Sequence, residues 1–113
     1  MMGSFLTLQG AMMSEPLTVI AHACAKPGKE AQAREILRAL VAPTKLEEGC
    51  IDYDLHQSTE DPSLFVFFEN WTTPAALDAH SRSSHIAHFR SICGESLVEP
   101  PVISKWKLVP GGR

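Results

Sequence analysis

The sequence predicts an α+β fold of the ferredoxin-like βαββαβ type, built on one antiparallel four-stranded sheet. Three observations predict it. Four short segments alternate apolar and polar residues or run apolar throughout, two longer regions repeat apolar residues every three or four positions, and prolines and glycines punctuate the joins. With 113 residues and 44% hydrophobic content, the chain fits a single domain. A domain of this size buries only about two-thirds of the surface its unfolded chain exposes, so burial against a partner adds usefully to its stability.

Residues 1–13 read as a leader outside the fold, because Met13-Ser14-Glu15-Pro16 has the form of a second start; the domain is assigned to residues 14–113. The apolar residues of the leader are too interrupted, and lack the basic flank, for a signal or a membrane span. From Leu17 to Ala25, alternating Leu17, Val19, Ala21 and Ala23 predict the first strand. After Lys26-Pro27-Gly28-Lys29, the spacing of Ala33, Ile36, Leu37, Leu40, Val41 and Thr44 predicts an amphipathic helix, kinked at Pro43 and stopped at Gly49.

Cys50 to Gln57 alternates again, with Ile51, Tyr53 and Leu55 on one side, and Leu64 to Trp71 is a nearly continuous apolar run. The turn-rich Ser58 to Ser63 between them predicts a hairpin, whose register is open by one residue: pairing Leu55 with Val66 sets Tyr53 beside Phe68 and Asn70, and a slip of one sets it beside Trp71. Because Phe65, Phe67 and Phe68 fall on both faces of that third strand, one layer of helices leaves a face uncovered, and a second subunit is the simplest cover. Thr73-Pro74 opens a short helix carrying Leu77 and His80. A further helical stretch aligns Ile86, Phe89, Ile92, Cys93 and Leu97, Pro100-Pro101 ends it, and Val102 to Val109 alternates as the last strand.

Composition excludes several functions. A net charge of -3 without a basic cluster argues against nucleic acid. No apolar run approaches the ~20 residues that cross a bilayer, so no membrane association is expected. Cys24, Cys50 and Cys93 form no CxxC pair, which suits a reducing cytoplasm, and no base is tied to Cys93 to make it a nucleophile. Without a Gly-x-Gly turn before a helix or a GKS or GKT tripeptide, no flavin, nicotinamide or other nucleotide cofactor is expected.

Pro27-Gly28-Lys29-Glu30, Val41-Ala42-Pro43-Thr44, Glu48-Gly49-Cys50-Ile51-Asp52-Tyr53-Asp54, Phe68-Glu69-Asn70-Trp71, and the pair His80 and His85 resemble, in order and spacing over residues 17–109, the antibiotic biosynthesis monooxygenase family, in its quinol-oxidising branch. The resemblance implies a homodimeric α+β barrel, with two sheets facing each other and helices outside. It also implies a pocket between sheet and helices in which many members oxidise phenols or quinols with molecular oxygen and no cofactor. Two departures stand out. Many members read Pro-His-Phe where this chain has Ser84-His85-Ile86, and the asparagine that haem-degrading relatives carry in the first strand is missing from Leu17 to Ala25.

Such chemistry needs a base to deprotonate a phenol, hydrogen bonds to hold the phenolate, and an apolar enclosure. Histidine titrates near neutrality, so His80 and His85 are the candidate acid/base residues. Asn70, Trp71, Tyr53 and Phe89 are the candidate substrate-binding residues, with at most one of Asn70 and Trp71 facing the pocket, since neighbours on a strand point oppositely. His80, His85 and His88, even with Asp52, Asp54 and Glu69, match no zinc or iron signature, so no metal is expected. The other reading is a non-oxidative barrel protein, an isomerase of a small metabolite or a ligand-binding module, which Arg34, Arg82 or Arg90 converging on the cavity would favour.

Overall fold

The structure, a computed structural model, describes residues 16–113; the expected leader lies outside the described residues. Strands β1 (Leu17–Cys24), β2 (Cys50–Gln57), β3 (Leu64–Trp71) and β4 (Val102–Trp106) form one sheet in the order β2-β3-β1-β4, with every neighbouring pair antiparallel. Helices α1 (Glu30–Arg38), α2 (Val41–Lys45), α3 (Pro74–Ser81) and α4 (Ser84–Ile92) complete the predicted ferredoxin-like order. Among the described residues, no helix is long and apolar enough to cross a membrane.

One face of the sheet carries the core. Val19, Ala21 and Ala23 of β1 and Phe65, Phe67 and Trp71 of β3 are buried there with Leu37, Ile86 and Phe89 from the helices. The alternate residues point to the opposite face, where Phe68 is 41% and Trp106 56% exposed, so the aromatic third strand is apolar on both sides as its sequence requires. Asn70 also lies on that face, accepting from Thr18 Oγ1 at 2.6 Å and donating to Asp52 at 3.0 Å.

Several boundaries depart from the sequence reading for local reasons. The expected kinked helix is two helices, because Pro43 has no amide to donate to the carbonyl of Ala39, four residues back; α1 therefore ends at Arg38, and Pro43 sits in the first turn of α2, where no donor is needed. The first strand ends at Cys24, with Ala25 held only by a bridge to Leu97. The last strand stops at Trp106, opposite Thr18, where its described pairing with β1 ends. The final helix stops at Ile92 and tightens into a 3-10 turn over Cys93–Glu95, which still delivers Cys93 and Leu97 to the core.

A bulge between Cys50 and Asp52 sets the register of the hairpin. It leaves Ile51 half exposed instead of on the side of Tyr53, and it pairs Tyr53 with Glu69 and Leu55 with Phe67. Of the two registers open in the sequence, the slipped one forms, so Tyr53 shares the helix-side face with Phe67 and Trp71. Gly49, at φ +86°, opens β2, and a Cβ there would lie 2.5 Å from Ala76 Cβ and 2.8 Å from Thr72 Oγ1. Only glycine permits that approach, which brings the preceding residues against α3.

Candidate active site

Between the helix side of the sheet and α3 and α4 lies a cavity of about 530 Å³. Its wall is mainly apolar, with Val19, Ala21 and Phe67 from the sheet and Leu77, Ile86 and Phe89 from the helices, and its volume suits a small aromatic molecule. Three of the polar side chains that line it, Tyr53, Glu69 and His80, belong to the buried core. Each is nearly inaccessible to bulk solvent, at 2%, 3% and 6% exposure respectively.

His80 is placed by α3, whose start is fixed when Thr73 Oγ1 accepts from the Ala76 amide at 3.1 Å, with Pro74 in the first turn. Its Nδ1 lies 2.7 Å from Glu47 Oε2. A carboxylate can only accept, so Nδ1 carries the proton, and Nε2 is left as the free, unprotonated nitrogen of the ring. Glu47 Oε2 also receives His85 Nε2 at 2.8 Å, which in turn has Thr44 Oγ1 at 3.2 Å and Ser83 Oγ at 3.3 Å. Trp71 and Tyr53 pack on the His80 ring, with centroids 4.8 and 5.4 Å away, and fix its plane. Burial pushes the imidazole of His80 below its ordinary proton affinity, against the opposing pull of Glu47.

Glu69 is a buried carboxyl on the same cavity. Its Oε1 accepts from Trp71 Nε1 at 2.9 Å, and its other oxygen makes no hydrogen bond to protein among the described residues. Burial pushes its carboxyl up to about 7, an effect the indole opposes and the Glu47 charge reinforces. Tyr53, pushed far upward by burial and then by Glu69, stays a neutral phenol. A carboxyl raised by burial and an imidazole lowered by burial therefore face one apolar enclosure, the arrangement that lets one group donate while the other accepts.

The raised carboxyl of Glu69 sets a pH dependence of stability. Because the folded state holds this proton more tightly than the unfolded chain, stability is fully present below the ordinary glutamate value of about 4.5 and is lost as pH rises to about 7. The shift corresponds to roughly 3 kcal/mol. Glu69→Gln keeps an acceptor for Trp71 and removes the ionisation, so it is expected to gain up to roughly 3 kcal/mol over wild type between pH ~4 and pH ~8, read from urea melts at both values. Equal stability differences at the two pH values would contradict the protonation assigned to Glu69.

Among the residues singled out from sequence, His80, Tyr53 and Phe89 line the cavity. Trp71 lies behind it, wholly buried against His80 and Glu69, and His85 touches it only through Glu47. Asn70 is not at the cavity, since strand alternation sends it to the far face. Two functional candidates were missed. Glu69 stands at a core position in the series Phe65, Phe67, Glu69, Trp71, and a charge at that parity was a readable signal. Glu47 meets His80 and His85 across 33 and 38 residues, a proximity that no local pattern encodes. Of the arginines considered for an anionic ligand, Arg90 lines the cavity, together with Lys105, whereas Arg82 pairs with Asp78 at 2.8 Å.

Fold and site together define a small ferredoxin-like protein with an acid–base cavity between sheet and helices. Residues 16–91 match the family described as antibiotic biosynthesis monooxygenase, and the chain belongs to that family. A relative from Mycobacterium tuberculosis, named "Putative monooxygenase Rv0793", is 36% identical over 92 residues, covering 81% of this chain and 90% of its own. The solved structure of Rv0793 superposes with a TM-score of 0.77 over 84% of this chain and 96% of that one, at 33% identity. The structure of PA3566 from Pseudomonas aeruginosa has a TM-score of 0.81 at 39% identity, covering 86% of this chain and 97% of that chain.

Proposed function

We propose that the protein is a cofactor-independent monooxygenase of small phenolic or hydroquinone substrates, with His80 as base. The observation that carries this reading is the Glu47–His80 contact of 2.7 Å on the wall of an apolar cavity, which leaves His80 Nε2 free to accept a phenolic proton. The phenolate then gives up electrons to molecular oxygen. One oxygen atom enters the ring and the other leaves as water, so a hydroquinone becomes a hydroxyquinone without an external reductant, and the proton taken by His80 returns to the departing oxygen. Glu69 serves as a hydrogen-bonding partner for a second substrate oxygen, and Phe89, Tyr53 and Phe67 supply the face on which the ring lies. The test is oxygen uptake with a panel of hydroquinones and phenols, run with a metal chelator present. Uptake matched by hydroxyquinone formation is the expected result, and none with any of the panel would sink the proposal.

The open face of the sheet belongs to the same proposal. Ile20, Val66, Phe68, Val102 and Trp106 lie on it together, an apolar surface of the kind that a second copy of the chain covers in a two-sheet barrel. A dimer is therefore expected by sedimentation at low micromolar concentration; a monomer alone would remove this part. Arg90 and Lys105 at the cavity favour a second reading, an isomerase or binding module for a small anionic ligand. Binding of such a ligand without oxygen uptake would select it.

A further inference from the structure

Glu47, His80 and His85 present three ligand atoms, all within 4.8 Å of one another, and of the three residues Glu47 and His85 stand outside the lining of the cavity. We infer that this cluster is a binding site for a divalent cation of the zinc type, and that its occupation inhibits the enzyme by turning His80 from an acceptor into a donor. Two imidazole nitrogens and one carboxylate oxygen form a donor set suited to zinc and neighbouring transition ions, with a fourth position left for water. Zinc bonds of about 2.0–2.2 Å set tetrahedral ligand atoms roughly 3.3 Å apart. The contacts of 2.7 and 2.8 Å to Glu47 Oε2 therefore open by about half an ångström, and the two imidazole nitrogens, within 4.8 Å of each other, settle to the same separation by side-chain rotation. The hydroxyls of Thr44 and Ser83, already beside His85 Nε2, remain at hand to hydrogen-bond the ligands or the water.

Placement decides what the ion would do. Of the three ligands only His80 lines the substrate cavity, while Glu47, its side chain 16% exposed, also lines a shallow depression beside Gly49 and Thr72 on the outer side of α3. An ion can thus enter from solvent, and it comes to rest behind the imidazole, out of contact with substrate. Coordination through Nδ1 obliges the neutral ring to carry its single proton on Nε2. The nitrogen that faces the cavity then donates a hydrogen bond and has no lone pair for the phenolic proton. This loss of function rests on the role proposed above for His80; uptake of the ion does not.

Uptake is measured directly, with zinc alone as probe, by equilibrium dialysis of the chelator-stripped full chain followed by elemental analysis. One zinc per chain is expected, with affinity lowered at least ~10-fold in Glu47→Gln and in His85→Ala and unchanged in His56→Ala and His88→Ala. Glu47→Gln keeps an acceptor oxygen for the two rings, and thermal melts verify that it is folded. Substitution by cobalt adds a readout independent of activity, a visible band of tetrahedral type. Oxygen uptake should fall in proportion to zinc occupancy and return with chelator. Wild-type uptake no greater than that of Glu47→Gln and His85→Ala overturns the site, and full occupancy with undiminished turnover overturns the inhibition. A zinc-free protein that oxidises no hydroquinone removes the base reading and the inhibition with it, and the dialysis alone then decides the site.

Discussion

His80→Ala is expected to lower the turnover of whichever hydroquinone the wild type oxidises by about 10²–10⁴-fold, the usual contribution of a positioned general base. The geometry separates this histidine from its neighbour. His80 lines the cavity with Nδ1 committed to Glu47, whereas His85 spends its Nε2 on the same carboxylate oxygen and reaches the cavity only through it. His85→Ala should accordingly cost less, roughly tenfold, by loosening Glu47 and with it the orientation of His80, the base proposed above. Both variants must be compared at equal oligomeric state and equal thermal stability. Equal losses would show that the two rings act as one unit, and undiminished turnover in His80→Ala would remove it as the base. Tyr53 is no substitute, because its burial keeps the phenol protonated.

The largest effect on stability is expected at Trp71. Its side chain is fully buried, packs on Tyr53 and His80, and donates to Glu69. Trp71→Ala removes the packing and leaves a cavity, at a cost of about 3–5 kcal/mol, which is a large part of the 5–15 kcal/mol that holds a typical domain folded. Trp71→Phe keeps most of the volume and withdraws the donor from a buried carboxyl, costing about 1–3 kcal/mol. Urea melts should show both as lower midpoints with an unchanged slope. The two variants differ in a second respect that a pure packing role would not produce: without the indole N–H, Glu69 should titrate still higher, visible by NMR of its side-chain carboxyl. A Trp71→Phe protein as stable as wild type, with Glu69 unmoved, would dissociate the indole from the site.

What the sequence by itself determined is what repeats at short range. Strand alternation and helical spacing yielded every main element in order, two of the four strands with their observed bounds, and the Thr73-Pro74 helix entry, because backbone geometry fixes which neighbours share a face. The same alternation limited the pocket to one of Asn70 and Trp71, and the helix-side location of Trp71 settles which of them lies near it. Quantities that depend on residues far apart in the chain were decided only by the tertiary structure. The bulge at Cys50 to Asp52 chose the register that sets Tyr53 across from Glu69, and a one-residue change there would reverse the faces of the whole strand. The end of β4 was decided by the extent of its pairing with β1. The meeting of Glu47 with His80 and His85 depends on the close approach of Gly49 to α3, a contact between segments whose separation leaves no periodic trace. Local physics wrote the sheet and its helices into the sequence pattern; the site exists only once packing has brought a loop carboxylate against two helix histidines and set one of them on the same cavity as a core-parity glutamate.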